Sequence, residues 1–152
     1  MLRRASSPPI VRADDNKGSA MAIKRAAAFE GPGPDAIYGD NLKNGKFRIQ
    51  HCNACGRNFF YPRPLCVHCG AADWVWIDAS GKGTVYSTSV VRQRPEDGPD
   101  YNIALIDLAE GPRMMSRVTD IAPAEVAIGM AVEAYIGDLG KEALVLFRPA
   151  GK

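Results

Sequence analysis

The chain has 152 residues, of which 46% are hydrophobic, and 19 basic against 17 acidic side chains leave a net charge of +2. That length allows one compact domain or two very small ones, with a core modest enough for a metal staple to matter. The near-balanced charge counts against a dedicated nucleic-acid binder, and no apolar run approaches the roughly 18 residues that a membrane helix needs.

Residues 1–34 are expected to form a disordered or extended tail. Met1 to Ser19 is polar, carries Pro8-Pro9 and lacks the apolar stretch of a secretion signal. Arg3, Arg4, Ser6 and Ser7 suggest a transit peptide, and Asp14 and Asp15 oppose it. Residues 1–20 are either native or precede a true start at Met21. Segment 35–50 is expected to be a helix and a lead-in strand. Asp35 is placed to cap the helix, and Tyr38 and Leu42 are spaced to share one face. Asn44-Gly45 has the composition of a turn. From Lys46 to His51 polar and apolar residues alternate, which sets Phe47 and Ile49 on one face of a strand.

The surest pattern lies in segment 51–78. Cys52-x2-Cys55 and Cys66-x2-Cys69 are separated by ten residues. Each pair lets two thiolates converge from one tight turn, and the second pair completes a tetrahedron. Gly56 and Gly70 follow the pairs, where a left-handed backbone is needed. All four cysteines crowd into 18 residues, which points to a metal site and to a cytoplasmic protein more than to a secreted disulfide frame. Four thiolates suit zinc or iron. The second pair encloses Val67-His68, without the proline usual in rubredoxin knuckles, and this favours one structural Zn2+ with no open coordination position. His51 and His68 flank the ligands and read as solvated or supporting side chains.

After a strand at Trp74 to Ile77 and a turn at Ser80 to Gly83, segment 79–150 carries five strand candidates. They are Thr84–Arg92, Tyr101–Leu108, Arg113–Val118, Met130–Ile136 and Ala143–Arg148. Ile121–Ile128 suits a short helix after the third, with Pro123 in its first turn and Gly129 at its end. Five short strands with a helix after the third match an OB-fold barrel. The predicted fold is therefore mainly β: a short N-terminal helix, a four-cysteine zinc ribbon and a five-stranded OB-fold domain.

No catalytic motif of the common hydrolase, metalloprotease, dinucleotide or P-loop kinds occurs, and the metal uses every cysteine. Asp107 and Glu110 read as a carboxylate pair or as solvated turn residues. Ser80-Gly81-Lys82-Gly83 reads as a turn or a phosphate loop, and Gln93 to Asp100 as an exposed connection or a partner contact. The ribbon tip sets Phe59-Phe60-Tyr61 between Arg57 and Arg63. These five residues either meet a partner or ligand, with the arginines placed for phosphates, or pack on the strand of Trp74 and Trp76 with the arginines solvated.

The order of motifs resembles a known family. Leu42-Lys43-Asn44-Gly45-Lys46 is followed by the ribbon with Pro62-Arg63 between its knuckles and by Ser80-Gly81-Lys82-Gly83-Thr84-Val85. Tyr101-Asn102-Ile103-Ala104, Leu108-Ala109-Glu110-Gly111 and Ile128-Gly129-Met130-Ala131-Val132 then follow. From about Ile37 to Arg148 the chain resembles the acyl-CoA-associated rubredoxin-like zinc ribbons fused to an OB fold, long catalogued as a domain of unknown function. The resemblance implies a non-catalytic subunit of a thiolase-like enzyme acting on CoA thioesters. Known settings are acetoacetyl-CoA thiolase complexes, steroid side-chain retro-aldolases, phloroglucinol acetyltransferases and benzoylsuccinyl-CoA thiolase. The first and last best match a stand-alone subunit. It further implies a hetero-oligomer in which Arg57, Phe59, Phe60, Tyr61 and Arg63 meet the partner or the CoA thioester. The competing classes are a single-stranded nucleic-acid-binding module, since ribbons and OB folds both serve there, and a rubredoxin-like electron carrier.

Overall fold

The computed structural model describes residues 27–140 and 142–151. Residues 1–26, on which most of the expected tail falls, lie outside the described residues. Helix α1 (Pro34–Lys43) opens with Pro at its first position and closes at Asn44. Asp35 sits in its first turn. The cap is Gly33, without any side-chain bond, so the expected Asp35 cap is corrected. Proline explains the start: its missing N–H falls where the helix has no acceptor to offer, and its fixed φ is already helical. At the other end Gly45 takes φ 70°, which returns its N–H to Leu42 and that of Lys46 to Asn41. Leu42 is buried and Tyr38 packs beside it, as their four-residue spacing requires.

Strands β1 (Arg48–Cys52), β2 (Asn58–Phe59) and β3 (Trp74–Asp78) form an antiparallel sheet in the order β2-β1-β3. The second sheet holds β4 (Lys82–Val91), β5 (Tyr101–Leu108), β6 (Arg113–Ser116), β7 (Ala131–Asp138) and β8 (Ala143–Pro149), in the order β6-β5-β4-β7-β8. It is a curled half-barrel of OB type. A register shift between Val85 and Ser87 bends β4, the strand shared by both halves. Its open edges meet at one parallel bridge, Val118 to Phe147, and at Ser116 Oγ donating to Val145 O at 2.6 Å.

The expected helix at Ile121–Ile128 is a single 3₁₀ turn, Pro123–Glu125. Val126 leaves it in extended conformation and is 6% exposed within the barrel core. Burying that valine outweighs the helical propensity of Val126 to Ile128. Gly129 therefore ends no helix: its φ of 85° turns the chain toward β7 while its N–H donates to Val85 O.

The main core joins the two sheets. Ile49 from the ribbon side and Leu42 from α1 are buried with Val85, Ile106, Met114, Val132 and Phe147 of the barrel. Gly83 shows how close this packing is: a Cβ there would lie 2.6 Å from Ile106 Cγ2. The smaller cluster is Cys52, Phe59, Cys66 and Ala71, with Trp74 against it.

Candidate metal centre and ribbon tip

The four cysteine Sγ atoms lie within 4.8 Å of one another. Cys52 and Cys69 are 3.6 Å apart and Cys55 and Cys66 3.8 Å. A tetrahedron of thiolates around zinc, with Zn–S bonds of about 2.3 Å, has edges of roughly 3.8 Å, so the donor set fits that ion. Two backbone turns build it. Gly56 N bonds Cys52 O and Gly70 N bonds Cys66 O, and both glycines take φ near 70°, at 70° and 69°. The residues between each pair are thereby wrapped, and the His68 N–H points at Cys66 Sγ at 3.4 Å. Burial pushes the Cys52 thiol up to about 12. Burial acts the same way on Cys66, but the N–H groups of His68 and Cys69 and the neighbouring thiols outweigh it and bring that thiol down to about 7. The ion binds these sulfurs as thiolates, so metal binding, proton release and folding become one equilibrium. With four protein ligands the zinc is structural and has no position for water or substrate.

The flanking histidines stay out of this set. His51 Nδ1 bonds Asn58 Oδ1 at 2.7 Å across β1 and β2, and His68 Nε2 lies 3.3 Å from Asn58 O. Asn58 in turn donates to Glu110 O at 2.8 Å and ties the ribbon to the β5–β6 turn.

The five tip residues part company. Phe59 is 1% exposed and belongs to the ribbon core. Phe60 packs on the main core, edge-on to Tyr38 at 5.5 Å. Tyr61 is 44% exposed, and its hydroxyl accepts the Met115 N–H of edge strand β6 at 3.1 Å. Arg57 and Arg63 are exposed and form no carboxylate ion pair among the described residues. Surface available to a partner is therefore offered by Arg57, Tyr61 and Arg63, while Phe59 and Phe60 are held by the fold.

Sequence reasoning missed Gln50. It is 1% exposed and clamps the tip: its Nε2 donates to Arg63 O at 2.8 Å and its Oε1 accepts from Arg63 N at 2.7 Å. The only available signal was a polar residue beside Ile49 in a strand leading to a ligand, which many exposed glutamines share.

The other sequence candidates are occupied by structure. Arg113 grips the Asp107 carboxylate through two nitrogens, at 2.6 and 3.1 Å, and stacks on Tyr86. Glu110 accepts the Ser80 N–H at 2.5 Å. That bond also occupies the first amide of the Ser80–Gly83 segment, and the turn expected there is corrected: Lys82 and Gly83 already belong to β4. In the 93–100 loop, Arg92 pairs with Asp100 at 2.6 Å and closes its stem. No helix among the described residues is long and apolar enough to cross a membrane.

Fold and site together define a zinc-ribbon protein with an OB-fold domain. The ChsH2 rubredoxin-like zinc ribbon domain matches residues 40–75, and the ChsH2 C-terminal OB-fold domain matches residues 76–137. A DUF35 domain-containing scaffold protein of Pyrococcus furiosus is 35% identical over 98 residues, which cover 60% of this chain and 72% of that protein. The chain belongs to this DUF35 family of joined ribbon and OB-fold domains. A probable enoyl-CoA hydratase alpha subunit of Thermomonospora curvata is 36% identical over 119 residues, 76% of this chain but only 37% of that protein. The solved structure of the Ltp2-ChsH2(DUF35) aldolase is similar with a TM-score of 0.68 and 34% identity, covering 80% of this chain and 98% of that one.

Proposed function

We propose that this chain is a non-catalytic subunit of an enzyme complex acting on CoA thioesters. The observation that carries the reading is the likeness to the chain of an aldolase complex over 98% of that chain. The CoA thioester in this reading comes from a relative described as a probable enoyl-CoA hydratase alpha subunit. The chain's own residues fit a supporting role. Its zinc site is closed, Asp107 is paired with Arg113 and Glu110 with the Ser80 N–H, and its four cysteines are all within the metal set. The partner supplies the nucleophile and the acid–base groups. This chain docks at the partner's active-site entrance, excludes water and shapes the acyl pocket. Tyr61 meets the partner, and Arg57 and Arg63 hold CoA phosphate.

The finer part of the proposal is the partner's class. We take it to be thiolase-like, with benzoylsuccinyl-CoA thiolase as the particular setting to try first. The relatives' names speak of hydratase and aldolase, so thioester turnover, rather than thiolysis alone, is the activity to assay. The test is native co-purification followed by replacement of both arginines. Arg57→Ala with Arg63→Ala is expected to raise the complex's KM for its CoA thioester about tenfold, the loss of one or two charge-assisted contacts. Unchanged kinetics and unchanged complex formation would remove the tip from the account.

A further inference from the structure

The tip combines a fixed backbone with an exposed cationic side chain at Arg63. Arg63 lies between Pro62 and Pro64, whose rings fix φ and which have no N–H to give. Within this tripeptide the N–H of Arg63 is the one backbone donor, and buried Gln50 accepts it while donating to the carbonyl of the same residue. The next carbonyl, of Pro64, accepts Trp74 Nε1–H at 2.8 Å. Gln50 is itself held on both sides, its backbone in register with Phe59 of β2 and Trp76 of β3. The backbone of Arg63 is thus fixed by a buried amide, two prolines and an indole, yet its side chain is exposed and makes no carboxylate ion pair among the described residues.

We infer that Gln50 is a positioning residue whose role is to present the Arg63 guanidinium in one place to an anionic ligand group, a phosphate of coenzyme A. The inference rests on the proposal that Arg63 meets the CoA thioester. A guanidinium binds a phosphate through two parallel N–H bonds only when its plane is aimed correctly. An arginine on a loose loop would lose backbone as well as side-chain freedom on binding, whereas here the backbone part is already fixed in the free protein. Gln50 never touches the ligand and acts through Arg63 alone.

The experiment uses the full, zinc-loaded chain and coenzyme A as the probe, titrated by calorimetry at low salt, with hydrogen exchange of the residue-63 amide measured in parallel. Gln50→Leu is expected to speed that exchange at least about tenfold, since its acceptor is gone. It should weaken coenzyme A binding several-fold, with Arg63→Ala weakening it about tenfold. The double variant should bind no more weakly than Arg63→Ala alone, which is the signature of one residue acting through another. Pro62→Ala, which leaves the core untouched, is expected to behave as a milder Gln50→Leu and serves if that variant loses zinc. Additive losses in the double variant, or unchanged binding in Gln50→Leu and Pro62→Ala despite faster exchange, would overturn the positioning role and leave Arg63 as a contact. Failure of the wild-type chain to bind coenzyme A, or an Arg63→Ala variant that binds like wild type, would overturn the reading of Arg63 itself and the inference with it.

Discussion

The ribbon and the barrel solve the same problem with different means. The barrel buries a contiguous apolar core in which Ile106 and Phe147 are fully enclosed, so its strands are held by area removed from water. The ribbon's own cluster is Cys52, Phe59, Cys66 and Ala71, too small to hold three short strands, and the metal replaces the missing core. Each region also buries one side-chain amide that stands in for a strand partner. Asn102 bonds Val118 N and O at 2.9 and 2.6 Å, just as Gln50 bonds the two backbone groups of Arg63. In the barrel the clamped residue is itself buried and closes the sheet. In the ribbon it is exposed, at the tip that a partner would meet. On the inference drawn above, the same device serves stability in one region and presentation in the other.

The largest effect that sharpens this contrast is metal removal. Zinc binding to four thiolates contributes on the order of 10 kcal/mol to folding of such small segments. A strong chelator, or Cys66→Ser, is expected to release exchange protection over β1, β2 and β3 while β5, β7 and β8 stay protected. Residue-resolved hydrogen exchange measures this, and simultaneous loss in both sheets would break the distinction. Next in size, Phe147→Ala in the barrel core should cost about 3–5 kcal/mol in chemical denaturation and leave zinc content at one ion per chain. Below that, Tyr61→Phe removes the acceptor of the Met115 N–H and is expected to cost roughly 1 kcal/mol, with faster exchange confined to β6 and the tip. The smallest effect is one of pH. Arg48 holds the Asp78 carboxyl below the usual carboxylate range, and the Gln93 N–H together with Arg92 does the same for Asp100. A carboxyl depressed by folding adds stability above its unfolded pKa and loses it as pH falls through the folded value. The unfolding temperature of the wild type should therefore fall slightly as pH drops below the ordinary carboxylate range, and Asp100→Asn should flatten that decline.

Much of this was legible because local chemistry and global fold agree. The cysteine spacing announced the ribbon, since only a metal explains two such pairs so close together. Tyr101–Leu108 was a strand candidate and is β5, whose Asn102, Ala104, Ile106 and Leu108 all face the core. Legibility failed where a residue's partner is remote in sequence. Strand β2 is two residues long and exists only because Gln50 and His51 pair with it. Val126 was drawn out of a helix by a core assembled from other segments. At the tip, composition left contact with a partner and packing within the fold both open, and Phe59 and Phe60 are claimed by two different cores, a division that no local pattern encodes. Gln50 is the clearest case, because its meaning depends on a bond to a residue thirteen positions away.

The central claim is that this chain supports chemistry performed by another subunit. Its most direct test is to purify the zinc-loaded chain from its own cells under native conditions, identify what travels with it, and assay CoA-thioester turnover before and after separating the components. The account predicts a stoichiometric catalytic partner, no turnover by this chain alone, and restored turnover on recombination. Turnover by the isolated chain, or a chain that purifies alone and leaves the activity of every candidate partner unchanged, would contradict it.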